Sequence, residues 1–348
     1  MRGFRAPDEL GAQQRAWAAV AAAFAEREPV RRRRRPPVRA TLALAAVAAL
    51  VAVAFTPPGH AVLTSVRRAI GVERAQPALY RLPGGGRILA GGWLVNGDGS
   101  TRRLGDYRET SWSPFGRFVV AAKPNELVAL QPDGTVRWTL ARPDVRFPRW
   151  AGSHTDTRIA YLSGGRLRVV AGDGTGDHEL GRAAPVAPAW RPGTSFALAY
   201  ADPRGRVVVP GVLRTAAGPR PLRLAWSSDG ARLLVLRART LDVYDARGRR
   251  LSRTTGRFAD AAFLPGTHRL AVLTPHAVEL LAPRTVLFRT TGTLRQLVPS
   301  PDGRRLLVTW PEADQWLFVP TEPGRRLSAV GNIAEQLGGA FPVGGWTS

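Results

Sequence analysis

The sequence contains no cysteine, a single methionine and, among its 50 basic residues, a single lysine, Lys123. Without cysteine there is no disulfide framework, no zinc–thiolate centre and no thiol nucleophile, so a folded domain must be held by its core. That absence assigns no compartment. Enzyme signatures are missing too: there is no G-x-S-x-G elbow, no P-loop, no H-E-x-x-H helix and no dinucleotide-binding glycine motif. The five histidines (60, 154, 178, 268 and 276) share no spacing and fall at turns or in a linker, which suits surface residues better than ligands. No catalytic residue, metal site or cofactor is expected. Acidic residues are scarce, 26 in 348, and most sit in turns, so paired catalytic carboxylates are not evident.

What the chain has in excess is arginine, with a formal net charge of +24. Arginine replacing nearly all lysine is the bias of a GC-rich coding sequence. Apart from Arg31–Arg35, the arginines come in ones and twos rather than on one helix or arm. Nucleic-acid binding is therefore not favoured.

Long apolar runs are also rare, with one exception, Ala40–Phe55. Arg31–Arg35 and Arg39 precede it, and Pro57-Pro58-Gly59 follows it. Residues 40–56 read as a single transmembrane helix, with the basic flank cytoplasmic and everything after it extracytoplasmic, in a cell membrane. A cleaved signal peptide is the sharper alternative, although nearly 40 residues ahead of the apolar run exceed a usual n-region. The stub, residues 1–39, contains a helix pattern over Pro7–Glu28, with Leu10, Trp17, Val20 and Phe24 on one apolar stripe. That stripe fits a cytoplasmic partner or the bilayer surface; the plainer reading is a marginal solvated helix. Residues 57–78 read as a linker with a short helix, Ala61–Ile70.

From residue 79 to 348 the sequence repeats. An aromatic or its substitute followed by a Pro/Gly turn recurs at Trp112, Trp150, Trp190, Trp226, Phe263 and Pro299, spaced 36–40 residues apart. Each anchor precedes two short runs rich in Val and Leu, then a turn such as Pro132-Asp-Gly134, then a further strand. That is the period of a four-stranded propeller blade. Six anchors define six blades. Strands near Ile88–Asp106, completed by an inner strand from Ala340–Trp346, supply another. The fold class expected is therefore an all-β propeller, seven blades favoured over six, preceded by an N-terminal helix and a transmembrane helix.

Residues 112–121 (WSPFGRFVVA) and 226–235 (WSSDGARLLV) resemble the WD40-like repeats of TolB-type propellers. The anchors at 150, 190 and 263 are degenerate, and neither the Gly-His pair nor the terminal Trp-Asp of true WD40 blades is present. The layout of stub, span and propeller is similar to that of uncharacterised actinobacterial single-pass membrane proteins. The resemblance implies a fold and no reaction.

Two features invite functional readings. Asp173–Glu179 gathers carboxylates in the manner of a calcium loop, but it occupies the hairpin position of other repeats and reads first as a turn. Arg108, Arg146, Arg223, Arg257 and Arg295 precede anchors, on connections entering the innermost strands. Gathered at one mouth of the channel they would attract an anionic ligand or acidic partner; the plainer reading is that an Arg-rich chain places arginine everywhere. The expected function is a membrane-anchored binding or scaffold module with a protein partner, signalling through the stub in its sharper form. The alternatives are a propeller enzyme of hydrolase or lactonase type and a regulator with the layout of membrane-bound anti-sigma factors.

Overall fold

Alternating runs of Val, Leu and Ala separated by Asp-Gly and Pro-Gly turns become 28 strands in the computed structural model, which describes residues 81–153, 155–193, 195–339 and 342–348. They form seven four-stranded antiparallel sheets, the blades. Blade 1 opens with β1 (Arg87–Ala90), β2 (Trp93–Val95) and β3 (Thr101–Arg103). Blade 2 is β4 (Glu109–Trp112), β5 (Val119–Lys123), β6 (Glu126–Leu130) and β7 (Val136–Ala141). Blade 3 is β8 (Val145–Gly152), β9 (Thr157–Ser163), β10 (Arg166–Ala171) and β11 (His178–Arg182). Blade 4 is β12 (Ala189–Trp190), β13 (Leu198–Ala201), β14 (Val207–Val209) and β15 (Leu213–Arg214). Blade 5 is β16 (Arg223–Trp226), β17 (Arg232–Leu236), β18 (Thr240–Asp245) and β19 (Arg250–Thr255). Blade 6 is β20 (Asp260–Phe263), β21 (Leu270–Leu273), β22 (Ala277–Leu281) and β23 (Thr285–Arg289). Blade 7 is β24 (Gln296–Pro299), β25 (Arg305–Trp310), β26 (Gln315–Pro320) and β27 (Ser328–Gly331).

The inner strand of blade 1 is the last in the chain, β28 (Val343–Thr347), which pairs antiparallel with β1. Seven blades closed by both ends of the repeat region is the arrangement the spacing favoured. Closure leaves no inner blade without a neighbour and removes the open flank an unclosed array would expose. The stub with Leu10, Trp17, Val20 and Phe24, the apolar segment and the linker lie outside the described residues. No helix among the described residues is long and apolar enough to cross a membrane.

The core is distributed as seven clusters, each between two adjacent blades. Alternation decides which neighbour a residue faces. In β17, Leu233 and Val235 pack towards blade 4, while Leu234 and Leu236 pack towards blade 6. Both faces are buried, so the strand reads as an unbroken apolar run rather than as alternation. The first and last blades share a cluster in which Phe318 and Trp346 meet edge to face, with ring centroids 5.6 Å apart.

The anchor motif is the chemistry of the turn between first and second strands. Ser113, Ser227 and Ser300 are buried, and each hydroxyl accepts from the backbone N–H five residues on, at 2.8–2.9 Å. Gly230 and Gly303 adopt φ of +67° and +68°, a region that favours glycine. The anchor tryptophans pack between blades. Trp190 donates its indole N–H to the Arg149 carbonyl at 3.0 Å, and Trp226 donates to that of Ala189 at 3.2 Å, so these two anchors bond the preceding blade's inner strand. The Trp112 and Trp150 indoles pack without a hydrogen-bond partner among the described residues. An arginine from the preceding blade covers two of the anchors, Arg87 over Trp112 and Arg191 over Trp226.

One short helix had no counterpart in the sequence reading. α1 (Ile333–Leu337) fills the connection from blade 7 to blade 1, burying Ile333 and Leu337 in the closing cluster. Asp314, from the β25–β26 turn, accepts the Ala334 N–H at 2.8 Å and satisfies the first turn of that helix.

Candidate binding face

One face of the ring is built from the turns between second and third strands and from the connections between blades. The two are tied together by backbone bonds: Arg142 N–H donates to Asn125, Ala183 to Gly165, Phe258 to Ala238 and Leu294 to Pro275. The five arginines singled out by sequence all lie at this face or at the inner-strand ends beneath it. Arg108, Arg257 and Arg295 are exposed on connections and make no ion pair among the described residues. Arg146 and Arg223 sit within inner strands and are paired.

Those pairs belong to a repeated clasp around the channel. Glu109, Arg223, Asp260 and Gln296 each stand three residues before an anchor, and each reaches the inner strand of the following blade. Glu109 accepts Arg146 Nε at 2.8 Å and the N–H of Phe147 on β8. Arg223 donates to both Asp260 oxygens at 2.8–2.9 Å and to the Leu297 carbonyl at 3.0 Å. Asp260 in turn accepts the Leu297 N–H at 2.8 Å, so one group links three consecutive blades. Gln296 exchanges two bonds with the backbone of Val343, itself three residues before Trp346, at 2.7 and 2.9 Å.

Blade 3 departs from the pattern through a bulge. Between Arg146 and Arg149 the register against β9 slips by one residue, and Phe147 takes φ +52°. The bulge releases the Phe147 N–H from the ladder to meet Glu109, and it places Arg149 at the channel. Arg149 is half-buried and hemmed in by protein. Burial pushes its guanidinium down to about 10, an effect that Glu109 opposes and Arg223 reinforces. Its one hydrogen bond among the described residues goes to the neighbouring Pro148 carbonyl, at 2.8 Å. It remains charged at neutral pH, with no carboxylate paired to it.

Beside the mouth, Arg295, Gln296, Asp314 and Trp316 line a cavity of ≈ 360 Å³ between blade 7 and the closing strand. Arg295 thus borders a cavity at the mouth.

The Asp173–Glu179 segment is a third-to-fourth-strand turn. Asp173 accepts the Thr175 N–H at 3.0 Å and its hydroxyl at 2.7 Å, which hold its carboxyl below the usual range. Burial alone would raise Asp177, but bonds from Arg168, Tyr161 and Arg142 outweigh it and hold the carboxyl down. Tyr161 is pushed up to about 12, first by burial and then by donating to Asp177. These oxygens are filled by protein donors. Among the described residues no group of three or more His, Asp or Glu could hold a metal ion.

Glu109, Asp260, Gln296 and Arg149 were not singled out by sequence. The signal was a polar residue three positions ahead of the anchors, visible once the repeats are aligned on Trp112, Phe263 and Pro299. Arg149 carries no such signal, because the bulge that aims it is not legible in the repeat.

No protein-family model matches this sequence, and no curated relative matches it. Solved structures do. The chain is similar to the C-terminal WD40 domain of Sif2, at 16% identity with a TM-score of 0.52, covering 73% of this chain and 85% of that one. It is similar to a chain of the mitotic checkpoint complex at 14% identity and TM-score 0.51, with 84% of each covered. A putative 6-phosphogluconolactonase from Bacteroides fragilis aligns at 15% identity and TM-score 0.51, over 71% of this chain and 93% of that one. At such identities the likeness establishes a WD40-like β-propeller fold and nothing finer.

Proposed function

We propose that the protein is a binding or scaffold module whose face of inter-blade connections docks an acidic protein partner. The observation that carries this reading is the trio Arg108, Arg257 and Arg295: exposed, on one face, and in no ion pair among the described residues. The inner-strand carboxylates Glu109 and Asp260 are the nearest thing to a catalytic pair, but each is engaged by an arginine and a backbone N–H. That favours binding over hydrolase or lactonase chemistry. In the same proposal the apolar segment 40–56 anchors the chain in a membrane with the propeller extracytoplasmic, and the stub carries any signal inward through Leu10, Trp17, Val20 and Phe24. A TolB-type kinship belongs to the proposal as well.

Photo-crosslinking residues at 108, 257 and 295 test the face, against controls at 133, 173 and 247 in turns of the opposite side. The proposal expects adducts from the first set, lost when those arginines become glutamate in the uncrosslinked positions. Adducts from the second set alone would sink it. Topology is read separately, since a cysteine-free chain accepts a single probe cysteine: Ser100→Cys should label with an impermeant maleimide in intact cells.

A further inference from the structure

The fourth strand of blade 4 is two residues long, Leu213–Arg214, whereas that of blade 5 beside it has six, Arg250–Thr255. The shortfall leaves a groove between the outer parts of the two blades, with a cavity volume of ≈ 700 Å³. Its walls are the blade 4–5 connection from Thr215 to Pro219, the β17–β18 turn from Arg237 to Thr240, Tyr244, and two arginines of β19.

Five arginines line it: Arg214, Arg237, Arg239, Arg250 and Arg253. One carboxylate answers them. Asp242, with no exposed side-chain surface, is gripped by Arg253 through two bonds of 2.7 and 3.0 Å and lies 3.6 Å from Arg237. Arg237 is itself 9% exposed and fixed by the Pro219 carbonyl at 2.9 Å. The floor is thus a rigid, built unit with one net positive charge. Arg214, Arg239 and Arg250 stand exposed around it without an ion pair among the described residues. Five positive charges meet one negative, a surplus of four. Tyr244, 8% exposed, lines the same groove, and its hydroxyl has no hydrogen-bond partner among the described residues.

The geometry points to a binding site for a small ligand carrying two or more phosphate groups. A phosphate group carries about −1.5 to −2 at neutral pH, so two of them bring about −3 to −4 against the surplus of four. Guanidinium forks bind phosphate oxygens in pairs, and a phosphate offers enough acceptors for several forks at once. The volume falls in the range of about 300–1,000 Å³ typical of small-molecule sites. A dicarboxylate would offset only half of the charge. The site lies apart from the channel mouth, and none of its residues is used in testing the partner face, so either idea can fail alone.

Titration calorimetry on the full-length chain, at fixed ionic strength, with pyrophosphate as the probe, tests this. Pyrophosphate should bind at one site, at least about tenfold more tightly than orthophosphate or citrate. Arg214→Ala, Arg239→Ala and Arg250→Ala should each weaken it by about tenfold, while Arg102→Ala on another blade leaves it unchanged. All three groove arginines are exposed and unpaired, so the variants should keep the wild-type unfolding midpoint. Wild-type affinity should fall as salt rises. Absence of saturable pyrophosphate binding, citrate binding as tightly as pyrophosphate, or a triple variant that binds like wild type would each overturn the assignment.

Discussion

The channel and the blade 4–5 groove are both rich in arginine, yet they use it differently. At the channel, Arg146 faces Glu109 and Arg223 faces Asp260, one cation to one carboxylate, each pair joining adjacent blades. In the groove one carboxylate, Asp242, stands among five arginines. A paired charge on an inner strand works as mortar, because its desolvation cost is offset only while its partner is present. Uncompensated charge on a groove wall does nothing for the ring and is free to meet a ligand. Arginine count therefore says little about function in this chain; the arginine-to-carboxylate ratio of each neighbourhood says more.

The sharpest way to break the comparison is to cut a clasp. Arg223→Ala leaves Asp260 nearly buried without its cation, and the loss should be about 2–3 kcal/mol, below the range for a fully buried pair because Arg223 is 30% exposed. Denaturant unfolding of Arg223→Ala, Asp260→Ala and the double variant measures it, and additive losses would deny that the two act as a pair. Asp177 extends the test to pH. Its carboxyl is held below 3.8 in the fold, so its contribution is present above about pH 4 and is lost as pH falls through the lower folded value. Asp177→Asn should cost about 1–2 kcal/mol at neutral pH and flatten the acid limb of the stability curve. An unchanged limb would mean that Arg142, Arg168 and Tyr161 do not grip it.

Arg149 probes the channel from the other side. Its folded value near 10 lies below the ordinary guanidinium range, so it costs stability at every pH below about 10, relieved only as pH rises above that. Arg149→Met should therefore stabilise, by about 1 kcal/mol after allowance for its partial exposure; a destabilised variant would show that the cation is already answered. The smallest effect belongs to the groove. Arg214→Ala and Arg250→Ala should shift the unfolding midpoint by less than about 2 °C, and a larger drop would make these arginines mortar as well.

Much of the ring was legible because a repeat amplifies weak local signals. The anchors, the turns and the Val- and Leu-rich runs after them coincide with the structure, as in the strands Arg232–Leu236 and Arg305–Trp310. Elsewhere the repeat is blurred by local events. In blade 4 the run after the Trp190 turn becomes a strand only at Leu198, because Phe196 turns to φ +47° and stacks under Arg158 instead. Residue type hides the clasp: Arg108, Arg146, Arg257 and Arg295 share their chemistry, yet they stand four or six places before their anchors. Grouping by place puts Glu109, Arg223, Asp260 and Gln296 in one class despite their different chemistry. The groove was invisible for a further reason: it arises from what β15 lacks, and a missing half-strand between two turns leaves no pattern of its own.

The closing strand imposes an order of events on the chain. Ile88 and Leu89 sit in β1, near the start of the ring, but the strand that covers β1 towards the channel is made of residues 343–347. A ribosome finishes blades 2 to 6 while blade 1 still lacks its inner member, and apolar flanks of blades 1 and 7 stay unmatched until residues 343–347 emerge. Closure joins segments some 260 residues apart, as the Trp346 indole does in donating to the Gly85 carbonyl at 2.9 Å, and contacts so distant in sequence carry a large loop-closure cost. Docking of β28 onto β1 is thus the step that completes blade 1 and closes the ring. Losing a handful of C-terminal residues would leave every earlier blade intact in sequence and the ring unclosed.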